Sequence, residues 1–291
     1  KYGIGSGSSP LISGYSIAHL NLEKRISRLL GFESTLVTNS GYLSNVGLLN
    51  AVSKNKIDVF QDRENHNSII ESSRLSNTKL IRYQHLNYKD LEEKILSSNS
   101  KDKIIFADSV FSMTGEKSDL IKLSSIAKKY KCLLFIDDAH GFGVSTYDNR
   151  IFPSSINGLD KTKLNIDAYI GTFGKAIGTF GAFISGSKYL IDLLIQKSKP
   201  YVYSTSLPPA LASTTLDSIN YIMKNKSITK RLESNINLFK DLANQNNIKV
   251  SFSNSPIQTM HIGDSKRVMS IHKKAQMKNI YIQAIRYPTV P

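Results

Sequence analysis

The sequence predicts an α/β fold: a mostly parallel central sheet with helices on both faces, followed by a smaller C-terminal α+β domain. Three observations carry this. Short apolar runs alternate with amphipathic helix-like segments up to about residue 225. Beyond residue 226 the texture changes to one long amphipathic stretch and short mixed segments. Three polar residues, Ser112, Asp137 and Lys175, follow on predicted strands. Ligands gather beyond strand carboxyl ends in such sheets.

The elements follow in chain order. Residues 1–20 are expected to form an N-terminal loop segment, with Gly and Ser dense up to residue 16. Leu22, Ile26, Leu29 and Leu30 stand at helical spacing over 20–30, and a second helix is expected from Gly41 past Leu49. Residues 103–107 read as a short apolar strand. Leu120, Leu123, Ile126 and Tyr130 mark one face of the next helix. An apolar run at 133–136 ends in Asp137-Asp138, and strands at 167–172 and 180–185 flank a Gly-rich turn. Ser187 is placed to cap a helix through Ile195, and Pro209 suits the first turn of a helix reaching Met223. The large domain is therefore set at 21–225 and the small one at 226–291. The small domain is expected to hold a helix on Leu232, Ile236, Phe239 and Leu242, strands near 248–252 and 257–262, a helix at 265–279 and a strand at 281–285. The chain opens on Lys1 and closes on Pro291, so further residues are expected at both ends and the small domain is expected to be incomplete.

Composition narrows the class. Of 291 residues, 40% are hydrophobic and 21% charged, as in ordinary soluble domains. No apolar run is long enough to span a bilayer and no secretory leader is evident. The single cysteine, Cys132, excludes a disulfide framework and a cysteine-rich metal site; it reads as a small core residue in a strand. A reducing cytoplasm is expected. The net charge of +15 is scattered over short pairs such as Lys128-Lys129 and Lys273-Lys274. No basic tract interleaved with aromatics appears, so neither nucleic acid nor membrane is expected as a partner.

The chemistry-bearing residues can then be weighed. Lys175 lies in Gly171-Thr172-Phe173-Gly174-Lys175-Ala176-Ile177-Gly178, where tight backbone can hold an amine against a ligand. Lysine amines form imines with carbonyl compounds, of which pyridoxal phosphate (PLP) is the commonest such partner. Asp137, ending a strand in Ile136-Asp137-Asp138-Ala139-His140, can keep a pyridine nitrogen protonated by opposite charge. His140 can then reach a phenolic oxygen. A helix or turn cap, or a metal site, explains the same acidic pair equally well. Asp-Asp-Ala-His also resembles a helicase acidic box, but that motor needs an earlier phosphate loop, and the only candidate Gly174-Lys175 comes later and is followed by Ala176. Asn39-Ser40-Gly41-Tyr42 opens a helix whose free amides can hold a phosphate. His66, in Asp62-Arg63-Glu64-Asn65-His66-Asn67-Ser68, can stack on an aromatic ring. Gly3-Ile4-Gly5-Ser6-Gly7 has neither the preceding strand nor the spacing of a dinucleotide fingerprint.

With these residues assembled, the chain resembles the α-oxoamine synthases, PLP-dependent enzymes of the transferase fold type I. The resemblance runs through Ser13-Gly14-Tyr15-Ser16 with His19 and Leu22-Glu23, Asn39-Ser40-Gly41-Tyr42, the His66 segment and Val110-Phe111-Ser112-Met113. It continues through Asp137-Asp138-Ala139-His140-Gly141, Thr172-Phe173-Gly174-Lys175, Tyr203-Ser204-Thr205-Ser206-Leu207-Pro208-Pro209 and Arg286-Tyr287-Pro288-Thr289-Val290-Pro291.

The resemblance implies an acyltransferase that joins an amino acid to an acyl thioester and releases carbon dioxide. It implies Lys175 as the Schiff-base lysine, Asp137 as partner of the pyridinium, and His140 and Ser112 at the phenolic oxygen. It implies His66 stacked on the ring, and Gly41, Tyr42 and Thr172 at the phosphate. Thr205 is similar to the residue that reaches the phosphate of a partner subunit, so a homodimer with shared sites is expected. Arg286, with Thr289 beside it, resembles the ligand of the amino-acid carboxylate. The Arg286 ending points to the branch that uses L-alanine and a pimeloyl thioester, on coenzyme A or a carrier protein, in biotin biosynthesis. The aminolevulinate, aminoketobutyrate and serine palmitoyl branches are the alternatives. The chain departs from the family at Asp108 (usually Glu), Thr114 (usually Asp) and Pro10 (often Arg), which bears on acyl-chain specificity. Rival classes are a PLP enzyme of another reaction, such as a transaminase, and an inactive binding protein.

Overall fold

The computed structural model describes residues 2–53, 57–145, 151–160, 162–251, 253–287 and 290. A π turn at Pro10–Gly14 leads into α1 (Ile17–Leu30), β1 (Ser34–Thr38), α2 (Gly41–Val52), β2 (Ile57–Asp62), α3 (Asn67–Arg74) and β3 (Thr78–Tyr83). Then come α4 (Tyr88–Leu96), β4 (Lys103–Asp108), α5 (Leu120–Tyr130), β5 (Leu133–Asp137), β6 (Ala168–Thr172) and β7 (Ala182–Gly186). The chain continues through α6 (Lys188–Lys197), α7 (Lys199–Val202), α8 (Pro209–Lys224), α9 (Ser227–Gln245) and α10 (Ser265–Gln276).

The strands form one sheet in the order β1-β7-β6-β5-β4-β2-β3. β7 alone runs antiparallel to its neighbours β1 and β6; the other pairings are parallel. Side chains alternate across a strand, so the sheet divides the core in two. Ile105, Leu134, Ile136 and Tyr169 face one core with Leu22 and Ile26 of α1 and Leu123 and Ile126 of α5. Ile104, Phe106, Phe135 and Ile170 face the other with Leu48 and Leu49 of α2 and Ile69 of α3. Cys132 is buried in the first core, immediately before β5. No helix among the described residues is long and apolar enough to cross a membrane.

Three expectations need correction. The N-terminal segment is not wholly loop: α1 begins at Ile17 because Ser16 caps it. The Ser16 hydroxyl accepts from the Ala18 N–H, and the His19 ring accepts from the Ser16 N–H. This reciprocal cap gives the Ser16…His19 spacing a structural cause. The strands expected near 248–252 and 257–262 are absent among the described residues, which hold only an isolated antiparallel bridge between Ser251 and Thr259. The strand expected at 281–285 is irregular backbone. Two short strands without a sheet to join are marginal, and among the described residues no third strand completes the ladder.

Glu23 shows how α1 serves the edge of the sheet. β1 is an edge strand, and the Val37 N–H donates to Glu23 Oε1 at 2.9 Å while the Tyr15 hydroxyl donates to Oε2 at 2.6 Å. Burial pushes the carboxyl up to about 7, against the lowering effect of those two donors. A carboxyl whose folded pKa lies above its unfolded value stabilises the fold fully below the unfolded value. That contribution is lost as pH rises through about 7. Glu23→Gln keeps an acceptor for Val37 and a polar partner for Tyr15 without the charge. The variant is expected to be more stable than the parent by about 1–3 kcal/mol at pH 8, with the gap closing at pH 5. Thermal unfolding against pH checks this; parallel curves for the two proteins would contradict it.

Candidate active site

The site forms where β4, β5 and β6 end. Asp108 and Asp137 are paired across β4 and β5 in register. Period-two alternation puts them on the face of Phe106 and Phe135, toward α2 and α3. Both carboxylates are buried. Burial and the adjacent Asp137 push the Asp108 carboxyl well up, while the His66 N–H, donating to Asp108 Oδ2 at 2.6 Å, pulls the other way.

Asp137 Oδ1 accepts from the Ala139 N–H at 3.0 Å and Oδ2 from Asn45 Nδ2 at 2.7 Å. The first bond is the local turn bond expected of a capping aspartate; the second ties Asp137 to α2. Asp138 points to the opposite core, where its carboxylate takes the Ser109 and Tyr169 hydroxyls and the Ser155 N–H. The acidic pair is thus split, Asp137 to the site and Asp138 to the core. Among the described residues no cluster of three or more His, Cys, Asp or Glu side chains could hold a metal ion.

Lys175 follows β6 in a turn closed by the Gly178 N–H on the Lys175 carbonyl at 3.0 Å and the Phe173 N–H on the Gly181 carbonyl at 2.9 Å. Gly178 and Gly181 take φ of 73° and 107°, a left-handed region that glycine adopts without a Cβ clash. The residue is exposed, but its amine reaches inward to 2.8 Å from His140 Nε2. Desolvation lowers the amine's pKa, and Asp137 and Asp108 partly restore it. Burial pushes the His140 ring down to about 4, with the Lys175 and His66 charges acting the same way. A neutral His140 can therefore accept a hydrogen bond from Lys175 Nζ.

His66 caps α3, with Nδ1 accepting from the Ser68 N–H at 3.2 Å. Burial lowers its pKa; Asp137 opposes this and Lys175 adds to it. The fold therefore brings Lys175, His140, Asp137 and His66 into one electrostatic cluster.

The other expected residues sit around it. Gly41 is the first residue of α2, and Ser40 caps the helix through the Leu43 N–H at 3.3 Å. The Gly41 and Tyr42 amides take no partner among the described residues, and a Cβ added at Gly41 would meet nothing within 4 Å. The Thr172 hydroxyl donates to the Gly181 carbonyl at 3.1 Å and can accept from the Gly174 N–H at 3.4 Å. Ser112 is half-buried in the turn after β4. Thr205 is exposed, its carbonyl accepting from Asn39 Nδ2 at 2.7 Å. Arg286 is exposed and its side chain makes no hydrogen bond or ion pair with the described residues. Thr289 lies outside the described residues.

Three neighbours of the site are missing from the sequence expectation: Asn45, Ser68 and the Asp108 carboxylate as a partner of His66. Asn45 was discoverable in principle, since it stands four residues after Gly41 and so on the same face of α2. Ser68 has no such signal.

Residues 4–291 match the family model for aminotransferase class I and II. The chain is 36% identical over 290 residues to an 8-amino-7-oxononanoate synthase of Saccharophagus degradans, covering 100% of this chain and 72% of that protein. It is 34% identical over 290 residues to the enzyme of the same name from Methylococcus capsulatus, covering 100% and 74%. Among solved structures, 8-amino-7-oxononanoate synthase from Francisella tularensis superposes with a TM-score of 0.82 at 26% identity, covering 99% of this chain and 81% of that one. Sphingomonas wittichii serine palmitoyltransferase superposes at 0.93 and 23% identity, covering 100% and 73%; this second likeness speaks to fold alone. The fold is that of the type I PLP-dependent transferases.

Proposed function

We propose that this chain, which belongs to the aminotransferase class I and II family and within it to the 8-amino-7-oxononanoate synthases, condenses L-alanine with a pimeloyl thioester. The products are 8-amino-7-oxononanoate, carbon dioxide and the free thiol of coenzyme A or a carrier protein. One carbon–carbon bond forms, and the thioester and the alanine carboxylate bonds break. The observation that carries this reading is the Lys175 amine within electrostatic reach of a buried carboxylate, Asp137, beyond the ends of neighbouring strands.

The residues present fit PLP. An amine of lowered pKa suits an aldehyde, a buried carboxylate suits a pyridinium nitrogen, and the open first turn of α2 suits a phosphate. The residues that would hold it are Lys175, Asp137, His140, Ser112 and His66 around the ring and Gly41, Tyr42 and Thr172 at the phosphate. Thr205 would come from the partner in a homodimer. When bound, PLP supplies an electron-withdrawing ring for the carbon from which a proton is lost.

The protein's own groups do the rest. Lys175, its amine made less basic by desolvation, takes the proton from the alanine Cα and returns one after carbon dioxide leaves. His140 stays neutral and takes a hydrogen bond from Nζ, orienting the amine. Asp137 holds a positive charge opposite it by Coulomb attraction in a buried setting. Arg286 and Thr289 would bind the alanine carboxylate.

The test is to give the full-length protein PLP, alanine and a panel of acyl thioesters, then identify the amino ketone by mass. Pimeloyl thioester is expected to give 8-amino-7-oxononanoate with equimolar carbon dioxide and thiol. Serine with a long-chain acyl donor as the preferred pair, or amino-group transfer with no thiol released, would overturn it.

A further inference from the structure

We propose that Asn45 is a positioning residue that couples the two side chains set to contact the cofactor ring, Asp137 and His66, through one amide nitrogen. What the coupling is used for rests on the function proposed above; the coupling itself is a property of the protein alone.

Asn45 lies in the first turns of α2 with its side chain fully buried. Its Nδ2 donates to Asp137 Oδ2 at 2.7 Å and to Ser68 Oγ at 2.8 Å. Its Oδ1 is buried with no partner among the described residues. An ionised carboxylate only accepts, so Asp137 dictates which way the amide faces. Turning it over would set two oxygens against each other. Leaving a buried acceptor unsatisfied costs about 1–3 kcal/mol. A leucine of similar volume would fill the space without that cost, so packing does not account for an amide here. The arrangement gives up the acceptor and spends both N–H groups on Asp137 and Ser68.

The second N–H fixes His66. Ser68 Oγ accepts from Asn45 and lies 2.7 Å from His66 Nδ1, to which its O–H can donate. The Ser68 backbone N–H donates to the same nitrogen at 3.2 Å. Two donors on Nδ1 leave the ring proton on Nε2. His66 therefore presents an N–H at its free edge and serves as a hydrogen-bond donor, not as a base. The same Nδ2 occupies one side of the Asp137 carboxylate, and the Ala139 N–H occupies the other oxygen. Carboxylate and imidazole are thus locked relative to each other through Ser68, on elements α2, β5 and α3 that are far apart in the chain.

Three variants test it: Asn45→Asp, Asn45→Leu and Ser68→Ala, each checked for fold by circular dichroism. In the cofactor-free parent, nitrogen NMR of the His66 ring is expected to show the proton on Nε2. Ser68→Ala is expected to raise the other tautomer at least about threefold. In the loaded enzyme at pH 8, Asn45→Asp is expected to lower kcat about 10-fold or more with KM for alanine within about twofold. Activity should recover as pH falls, because the new carboxyl, its pKa raised by Asp137, regains a proton and donates in place of the amide. Asn45→Leu should show no such recovery. A merely packing role would survive Asn45→Asp, which keeps the shape, so a pH profile matching the parent overturns the proposal. So does a parent His66 protonated on Nδ1. If Asn45→Leu fails to fold, the other two variants decide. If the protein takes up no PLP, the proposed function fails, and the His66 tautomer alone decides the coupling.

Discussion

Lys175→Ala is expected to reduce turnover by about 10²–10⁴-fold, because a positioned base contributes that much to a proton transfer. The side chain does two jobs on the proposed reading, attachment and proton transfer, and among the described residues no second amine bonds His140. The loss should therefore sit toward the upper end of that range, while stability changes little, since the residue is exposed and its turn is closed by backbone bonds. Lys188→Ala is a suitable control, its amine engaged among the described residues with Asp192 on the α6 surface. Single-turnover kinetics and thermal unfolding on both variants make the check. Equal turnover for Lys175→Ala and Lys188→Ala would refute the role.

Asp137→Asn is expected to lower kcat by about 10²–10³-fold, the range seen when one electrostatic contact to developing charge is removed. The amide keeps the shape, and its oxygen must turn toward Asn45 Nδ2, the donor now facing Oδ2 at 2.7 Å. Its NH₂ then replaces Oδ1, which accepts from the Ala139 N–H at 3.0 Å, and the negative charge that would hold a ring proton is gone. The same change removes the negative charge that raises the buried Asp108 carboxyl. That relief opposes the loss of the Ala139 bond, so the variant should unfold close to the parent's temperature. A fall in kcat without a fall in melting temperature separates electrostatic support from a structural role. A parallel fall in both would contradict the assignment.

The parts of the fold legible in sequence are those whose residues carry their own boundary signals. Ser187 caps α6 through the Leu190 N–H, and Pro209 is the first residue of α8, as their residue types require. The runs at β4 and β5 are apolar because both faces of those strands are covered. β1, β2 and β3 went unread for opposite reasons. Ser34–Thr38 is short and polar at both ends, Ile57–Asp62 buries Asp58, Gln61 and Asp62, and Thr78–Tyr83 is a partly exposed edge. Their identity comes from the partners they pair with, which local pattern does not contain. Conversely, the apolar spacing near 248–262 and 281–285 suggested strands that, among the described residues, form no more than the Ser251–Thr259 bridge.

The site divides in the same way. Asp137, His140 and Lys175 were legible because strand carboxyl ends converge, and the structure places them together. Whether Asp137 or Asp138 faces the site could not be settled from the pair alone. It follows from the β4–β5 register and the Ser109, Ser155 and Tyr169 groups that take Asp138 into the core. The Asn45–Ser68 link was beyond reach, since it joins residues 23 positions apart through a contact that only the packing of α2 on α3 creates.

The account stands on the Lys175 amine as the point of cofactor attachment. The full-length protein, loaded with PLP and reduced with borohydride, should yield on digestion a single pyridoxyl-bearing peptide, the one containing Gly174-Lys175-Ala176. A label on any other lysine, or an unlabelled Lys175 in protein that has retained the cofactor, would contradict it.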